Sequence, residues 1–232
     1  MNLFYGPHIE GDTFELDEEE SKHAIRVLRL RAGDAVNLVD GQGGWYEAVI
    51  ENDHPKLCQL KIISHIPNYQ PLSYRLHVGI SPTKNMDRFE WFLEKSTEIG
   101  ITEITPLICH RSERKKVNMK RLERILVSAM KQSLKAYKPD LHDSMSLKDF
   151  INLDIHGTKG IAHCHATNRR RMTELERSER YTILVGPEGD FTAEEVKIAL
   201  GANYAPFHLG ESRLRTETAG VFICAGLKLR SL

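Results

Sequence analysis

The sequence predicts an α/β protein in two parts, a small β-rich unit followed by a larger unit in which strands and helices alternate. Three observations carry this. Up to about residue 70, short apolar runs are separated by glycine-rich turns. From Leu72 onward, runs of strand length alternate with segments of helical periodicity, which argues a mostly parallel sheet covered on both faces. Near the C-terminus, two apolar runs are each followed by a glycine-bearing loop and then a helix. Ile183-Leu184-Val185 precedes Gly186-Pro187-Glu188-Gly189-Asp190-Phe191, and the run from Ala205 to His208 precedes Leu209-Gly210-Glu211-Ser212-Arg213-Leu214-Arg215-Thr216-Glu217-Thr218-Ala219. Loops at the carboxyl ends of strands in such a sheet are where ligands bind. Two of them in succession can flank one crevice.

The first unit is placed at residues 1–70. Asp17 and Glu20 fit a capping box for a helix with Ala24, Val27 and Leu28 as its apolar face. That helix ends in the basic cluster Lys22, Arg26, Arg29 and Arg31. Strands are expected at 34–39, 45–50 and 57–63, with Asp40-Gly41-Gln42-Gly43-Gly44 as a turn between the first two. Asn68-Tyr69-Gln70-Pro71 reads as the linker.

The second unit is placed at residues 72–232. Leu76, Val78 and Ile80 alternate as a strand. Asp87 with Glu90 caps a helix that ends at Gly100. A strand follows at 101–109. Leu122, Ile125, Leu126, Ala129, Met130, Ser133 and Tyr137 keep helical spacing until Pro139 stops them. A short helix at 146–151 and a strand at 161–165 come next. Thr192 and Glu195 form a second capping box, with Gly201 closing its helix, and residues 216–229 form the last helix. Trp91 and Phe92 read as core rather than as a base-stacking platform.

A length of 232 residues suits one large domain or two modest ones, with a sizeable core. Lys+Arg and Asp+Glu both number 32, so net charge gives no argument for nucleic acid. The distribution does. Residues 1–20 hold seven acids and no Lys or Arg, whereas residues 111–140 hold ten Lys/Arg against three acids, a local excess able to bind phosphates. A solvated helix face is the plainer reading of any single charge run. Four cysteines, widely spaced, suggest neither a zinc site nor a disulfide framework, and read as reduced thiols. In His163-Cys164-His165 the histidines would share one face of a strand, but two residues without a nearby partner are more often structural; no metal is expected. With no charged-then-apolar leader and no long apolar span, a cytoplasmic protein with no membrane association is expected.

The order of short motifs is similar to that of the ribosomal RNA small subunit methyltransferase E family, the 16S rRNA uracil-N3 methyltransferases of the SPOUT superfamily. The matching residues are His23 with Val27-Leu28-Arg29, Gly33-Asp34, Asp40-Gly41, Lys84, Asp87-Arg88 with Glu90-Trp91, Lys95 with Thr97-Glu98 and Gly100, Arg111-Ser112, Gln132-Ser133, and both glycine loops. The resemblance spans the chain. It implies a PUA-like β-barrel, then an α/β domain with a C-terminal trefoil knot, a homodimer, S-adenosylmethionine as methyl donor, and a uridine of 16S ribosomal RNA, free or in the small ribosomal subunit, as acceptor. Two departures stand out. The family usually has Gly where this chain has Asp190, and often Arg then Ile where it has Ser212 and Arg213.

Methyl transfer needs donor and acceptor in line in a water-poor pocket, which backbone loops can supply. Gly186, Gly189, Leu209 and Gly210 can present backbone groups to adenine and ribose, Pro187 stiffens its loop, and Thr216 can cap the last helix. The resemblance adds Ala166, Glu188, Leu214 and Arg215 to the cofactor set. Arg215 and Glu217 are the catalytic candidates: the acceptor nitrogen must lose a proton, and Glu217, a nearby Arg that stabilises the anion, or water can assist. Arg26, Arg29, Arg31, Lys84, Arg88 and Arg111 are the candidate RNA contacts. The small residues Ala219, Gly220, Ala225 and Gly226 permit close packing of the last helix, within one subunit or across a dimer. An RNA-binding or ribosome-assembly protein with a degenerate enzyme domain, or a methyltransferase for another RNA position, are the other readings.

Overall fold

The computed structural model describes residues 2–165 and 170–231. The chain forms two compact units, Met1–Pro71 with Met130–Lys138, and Leu72–Ala129 with Pro139–Leu232.

The first unit is a five-stranded sheet built from β1 (Leu3–Tyr5), β2 (Thr13–Glu15), β3 (Ala35–Val39), β4 (Trp45–Asn52) and β5 (Gln59–Ile66), in the order β1-β3-β4-β5-β2. Its pairs are antiparallel except β1 with β3. The turn after β3 is held by Asp40, whose Oδ1 accepts from the N–H groups of Gln42 (2.7 Å) and Gly44 (2.9 Å). Between β2 and β3 lies α1 (Glu18–Lys22), continued by a π-helical turn at His23–Val27.

That turn overturns part of the sequence reading. Leu28 N donates to His23 O at 3.0 Å, an i→i+5 bond that shifts the phase of everything after it. Ala24 and Ile25 therefore face the core, while Val27 is 66% and Leu28 38% exposed. The capping box is also half formed. Asp17 accepts from Glu20 N at 2.8 Å, but the Glu20 carboxylate pairs with Lys131 instead of returning to the cap.

The second unit contains β6 (Arg75–Ile80), α2 (Met86–Ile99), β7 (Glu103–Ile108), α3 (Met119–Gln132, its last three residues belonging to the first unit), β8 (Asp140–Leu141), β9 (Met145–Ser146), α4 (Leu147–Ile151), β10 (Thr158–Ala162), β11 (Arg170–Arg171), β12 (Arg180–Val185), α5 (Ala193–Gly201), β13 (Ala205–His208) and α6 (Thr216–Arg230). The sheet runs β11-β13-β10-β12-β6-β7-β8, with β9 also on β7, and every pair is parallel. A parallel sheet needs cover on both faces. One face buries Leu76, Val78, Phe89, Phe92, Ile183 and Ile223, the other Leu107, Phe150, Ile161, Leu184, Phe191 and Val196. Among the described residues, no helix is long and apolar enough to cross a membrane.

Four local expectations are corrected here. The N-cap of α2 is Asn85, whose side chain accepts from Asp87 N at 3.0 Å, so Asp87 lies inside the first turn. Trp91 is 41% exposed, although Phe92 is buried. Helix α3 stops at Gln132, before Ser133 and Tyr137, because Leu134 turns left-handed (φ 54). Lys135 N then donates to Met130 O and Leu134 N to Lys131 O, a Schellman motif formed without the usual glycine. Strand β10 ends at Ala162, leaving His163-Cys164-His165 in the loop beyond it.

Candidate functional site

Strands β10, β12 and β13 run parallel and adjacent, so their carboxyl ends open on the same edge. A cavity of about 260 Å³ lies there. Both glycine loops line it, the first through Gly186, Pro187, Glu188 and Asp190, the second through Leu209, Gly210, Leu214, Arg215 and Thr216. The sequence thus foretold two of its walls. The third wall, His163 and Cys164 after β10, carries no glycine signature. Ser212 and Arg213, at the family departure, also line the cavity. Ala166 lies outside the described residues.

Each loop is shaped by identifiable contacts. A Cβ on Gly186 would sit 3.0 Å from Phe191 Cδ2 and 3.2 Å from Phe191 N, so the ring of Phe191 takes the space a side chain would need. Thr216 Oγ1 donates to Gly186 O at 3.0 Å. Thr216 is the first residue of α6 rather than its cap: the cap position is Arg215, which makes no side-chain capping bond. Gly210 needs glycine for its backbone, φ 119, with open space where a Cβ would stand. Glu188 Oε1 accepts from Lys84 N at 2.9 Å.

Asp190 explains its own departure from the family. Its φ is 62, a left-handed value that glycine reaches freely and Asp tolerates better than most residues. Its carboxylate accepts from Phe191 N and from Cys164 N, both at 2.8 Å, tying the loop after β12 to the loop after β10. His165 Nε2 lies 2.6 Å from Phe191 O and 3.9 Å from Asp190 Oδ2. These contacts join the loops after β10 and β12, and the Thr216–Gly186 bond ties the latter to the start of α6.

Not every expected residue joins the cavity. Gly189 is outside its lining; the Gly189 carbonyl accepts from Arg111 Nη1 at 2.7 Å. Glu217 is 6% exposed and is also absent from the lining. Its Oε1 is 3.9 Å from Arg88 Nε on α2, and its Oε2 is buried with no hydrogen-bond partner among the described residues. Of the two catalytic candidates, Arg215 alone reaches the cavity. Lys84 pairs with Glu113 at 2.8 Å, which holds its ammonium pKa above the ordinary value, and joins Glu113, Arg114, Lys115 and Lys116 around a second, more open depression. In the first unit Arg26 and Arg29 are exposed, and Arg31 is 3.7 Å from Asp53.

Comparison with known proteins agrees with this arrangement. A family model described as an RNA methyltransferase domain matches residues 70–228, and one described as an RNA methyltransferase PUA domain matches residues 16–63. The crystal structure of a probable rRNA-methyltransferase from Porphyromonas gingivalis superposes with a TM-score of 0.93 at 39% identity, over 100% of this chain and 98% of that one. A ribosomal RNA small subunit methyltransferase E from Neisseria gonorrhoeae, bound to S-adenosyl methionine, superposes with a TM-score of 0.86 at 26% identity, over 99% and 98% of the two chains. A Rickettsia conorii protein named ribosomal RNA small subunit methyltransferase E is 28% identical over 95% of this chain and 91% of its own length.

Proposed function

Because this chain belongs to the RNA methyltransferase family, with a PUA-type unit before the parallel-sheet unit, we propose that it methylates N3 of a uridine in small-subunit (16S) ribosomal RNA, using S-adenosylmethionine. The observation that carries the reading is the cavity framed by both glycine loops at the carboxyl ends of β10, β12 and β13. A ribosomal RNA methyltransferase of 26% identity over nearly the whole chain binds S-adenosyl methionine. The name carried by several full-length relatives supplies the small-subunit acceptor.

The residues present fit that cofactor. Gly210 leaves the backbone of the second loop bare, Gly186 gives its space to Phe191 at the floor of the first, and Leu209 and Gly210 offer main-chain groups to a purine and a ribose. Leu214 and Ala219 add apolar lining, and Pro187 stiffens the wall opposite. Bound there, the cofactor supplies an electrophilic methyl group. The protein excludes water and aligns the acceptor. The N3 proton of the uracil would pass to water, Arg215, a lining cation, would stabilise the resulting anion, and the N3–methyl bond would form as the methyl–sulfonium bond breaks. Glu217 acts at a distance from the cavity, holding Arg88 beside the start of α6.

Finer features of the family follow the same reading. They are a SPOUT-type trefoil knot in the second unit, cytoplasmic action on ribosomal RNA, and a homodimer packed through α6. The last is supported by an apolar stripe on that helix, where Phe222 is 48% and Leu229 71% exposed. RNA is gripped by Arg26, Arg29 and Arg31 and by the basic region with Lys84, Arg88 and Arg111.

The test is direct. Purified protein is incubated with isotopically labelled S-adenosylmethionine and either free 16S RNA or small subunits from a strain lacking this methyltransferase. Digested nucleosides are then resolved by mass spectrometry. Labelled 3-methyluridine is the expected product. Label at another nucleoside would move the acceptor, and cofactor binding without any label would leave a binding protein.

A further inference from the structure

Away from the cavity, toward the amino ends of β6 and β7, three side chains converge: His77, Glu103 and His142. We propose that His77 Nδ1, Glu103 Oε2 and His142 Nε2 form a divalent-metal site, with Zn²⁺ as its preferred ion. Among the described residues this is the cluster in which three such groups offer ligand atoms all within 4.8 Å of one another.

The geometry is close to what zinc requires. His142 Nε2 is 3.3 Å and His77 Nδ1 3.8 Å from the same carboxylate oxygen. Ligand atoms about 2.1 Å from a tetrahedral ion lie roughly 3.4 Å apart; both carboxylate distances are close to that, and the two imidazole nitrogens lie within 4.8 Å of each other. Two nitrogens and one carboxylate oxygen with a fourth position left to water is a donor set that suits zinc.

The surroundings orient each ligand. Thr105 Oγ1 lies 2.7 Å from His77 Nε2 and can accept its proton, which leaves the Nδ1 lone pair directed at the site. Arg75 Nη2 is 3.0 Å from Glu103 Oε1, so that oxygen is occupied and Oε2 is left to the ion. The Arg75 charge opposes a cation, and the ion must outweigh it.

The three ligands come from three neighbouring segments. His77 and Glu103 are partners in the β6–β7 register, and His142 directly follows β8, with its N–H donating to Ile104 O at 2.9 Å. Strand β8 is a two-residue edge strand. A bound ion would staple this short edge to the sheet. The role is structural, and it is independent of the reaction proposed above.

The test uses tag-free full-length protein stripped with chelator and titrated with zinc chloride alone. We expect one ion per chain by calorimetry. We also expect a rise of about 5 °C or more in Tm at zinc a hundredfold above Kd. His142→Ala, at a partly exposed position, should remain folded and lose both effects, and Glu103→Gln should lower affinity at least tenfold. Cys164→Ser should change neither. Absence of uptake by the parent protein overturns the site. So does equal uptake by His142→Ala, or uptake lost in Cys164→Ser, which would place the ion at His163-Cys164-His165.

Discussion

Thr216 and Gly186 are joined by a hydrogen bond of 3.0 Å, the threonine hydroxyl donating to the glycine carbonyl. The bond ties the first residue of α6 to the loop after β12 and so fixes the distance between the two loops that frame the cavity. Thr216→Val keeps the shape and removes the donor. A buried carbonyl left unpaired costs about 1–3 kcal/mol. Calorimetry with S-adenosylmethionine should show roughly tenfold weaker binding, and thermal unfolding should show a lower Tm. Thr216→Ser should recover most of both. Unchanged affinity in Thr216→Val would mean that the loops hold their spacing without this bond.

Asp190 carries two opposing contributions, and two substitutions separate them. Asp190→Gly relieves the left-handed backbone but loses the bonds to Cys164 N and Phe191 N. Asp190→Ala loses the same bonds and keeps the backbone cost, about 1 kcal/mol. Thermal stability should therefore fall in the order parent, Asp190→Gly, Asp190→Ala. Both variants should bind the cofactor more weakly than the parent. A Gly variant as stable as the parent would show that the carboxylate bonds contribute nothing net.

The two glycines named together in the sequence should respond differently. The nearest atoms to a Cβ on Gly189 are in the Arg111 side chain, Cδ at 3.3 Å and Cβ at 3.4 Å, so a shift of a few tenths of an ångström of the flexible Cδ makes room. Gly189→Ala should change cofactor affinity less than about threefold. Gly210 sits at φ 119, a conformation L side chains rarely adopt, so Gly210→Ala should distort the second loop and weaken binding tenfold or more. Calorimetry on both folded variants decides this, and the reverse ranking would relocate the binding wall.

How much of this was legible in the sequence depended on whether a feature was local. The strand–loop–helix runs at Gly186 and Leu209 could be read directly, because apolar runs and glycines sit next to each other along the chain. The Thr192–Glu195 capping box formed as read, since both of its bonds span three residues. The phase of the first helix was not legible: one π-helical bond at His23 moved Val27 and Leu28 to the surface. Leu134 ended α3 in a conformation that its residue type disfavours. The third wall, His163 and Cys164, was invisible because it depends on β10 lying beside β12, a pairing between distant segments. Glu217 was singled out by its motif, yet only packing against α2 shows that it faces Arg88 rather than the cavity.

Cysteine chemistry gives an independent probe of that third wall. Cys58, Cys109 and Cys224 are buried, and burial pushes all three thiols up, Cys224 to about 12. Cys164 is exposed and lines the cavity. Iodoacetamide at pH 8 should therefore label Cys164 first, since the thiolate is the reactive form. Saturating S-adenosylmethionine should slow that labelling several-fold, with peptide mass spectrometry as the readout. Labelling at an unchanged rate would place the cofactor away from β10.

The basic cluster of the first unit offers the sharpest test of RNA capture. Arg26 and Arg29 are exposed and Arg31 is 3.7 Å from Asp53, so among the described residues none of the three is held in a close ion pair. Their neighbours Val27 and Leu28 are exposed as well, which makes this surface part cationic and part apolar. If the three arginines neutralise phosphates, replacing all three with Ala releases fewer counterions on binding. The slope of log affinity against log salt should become shallower by about 2–3 units. RNA affinity should fall most at low salt, while S-adenosylmethionine affinity should stay the same, because every residue lining the cavity belongs to the other unit. An unchanged slope would assign the cluster to a solvated helix end and pass RNA capture to the region from Arg111 to Lys138. Loss of cofactor binding in the same variant would mean instead that the substitution disturbs more than an RNA contact.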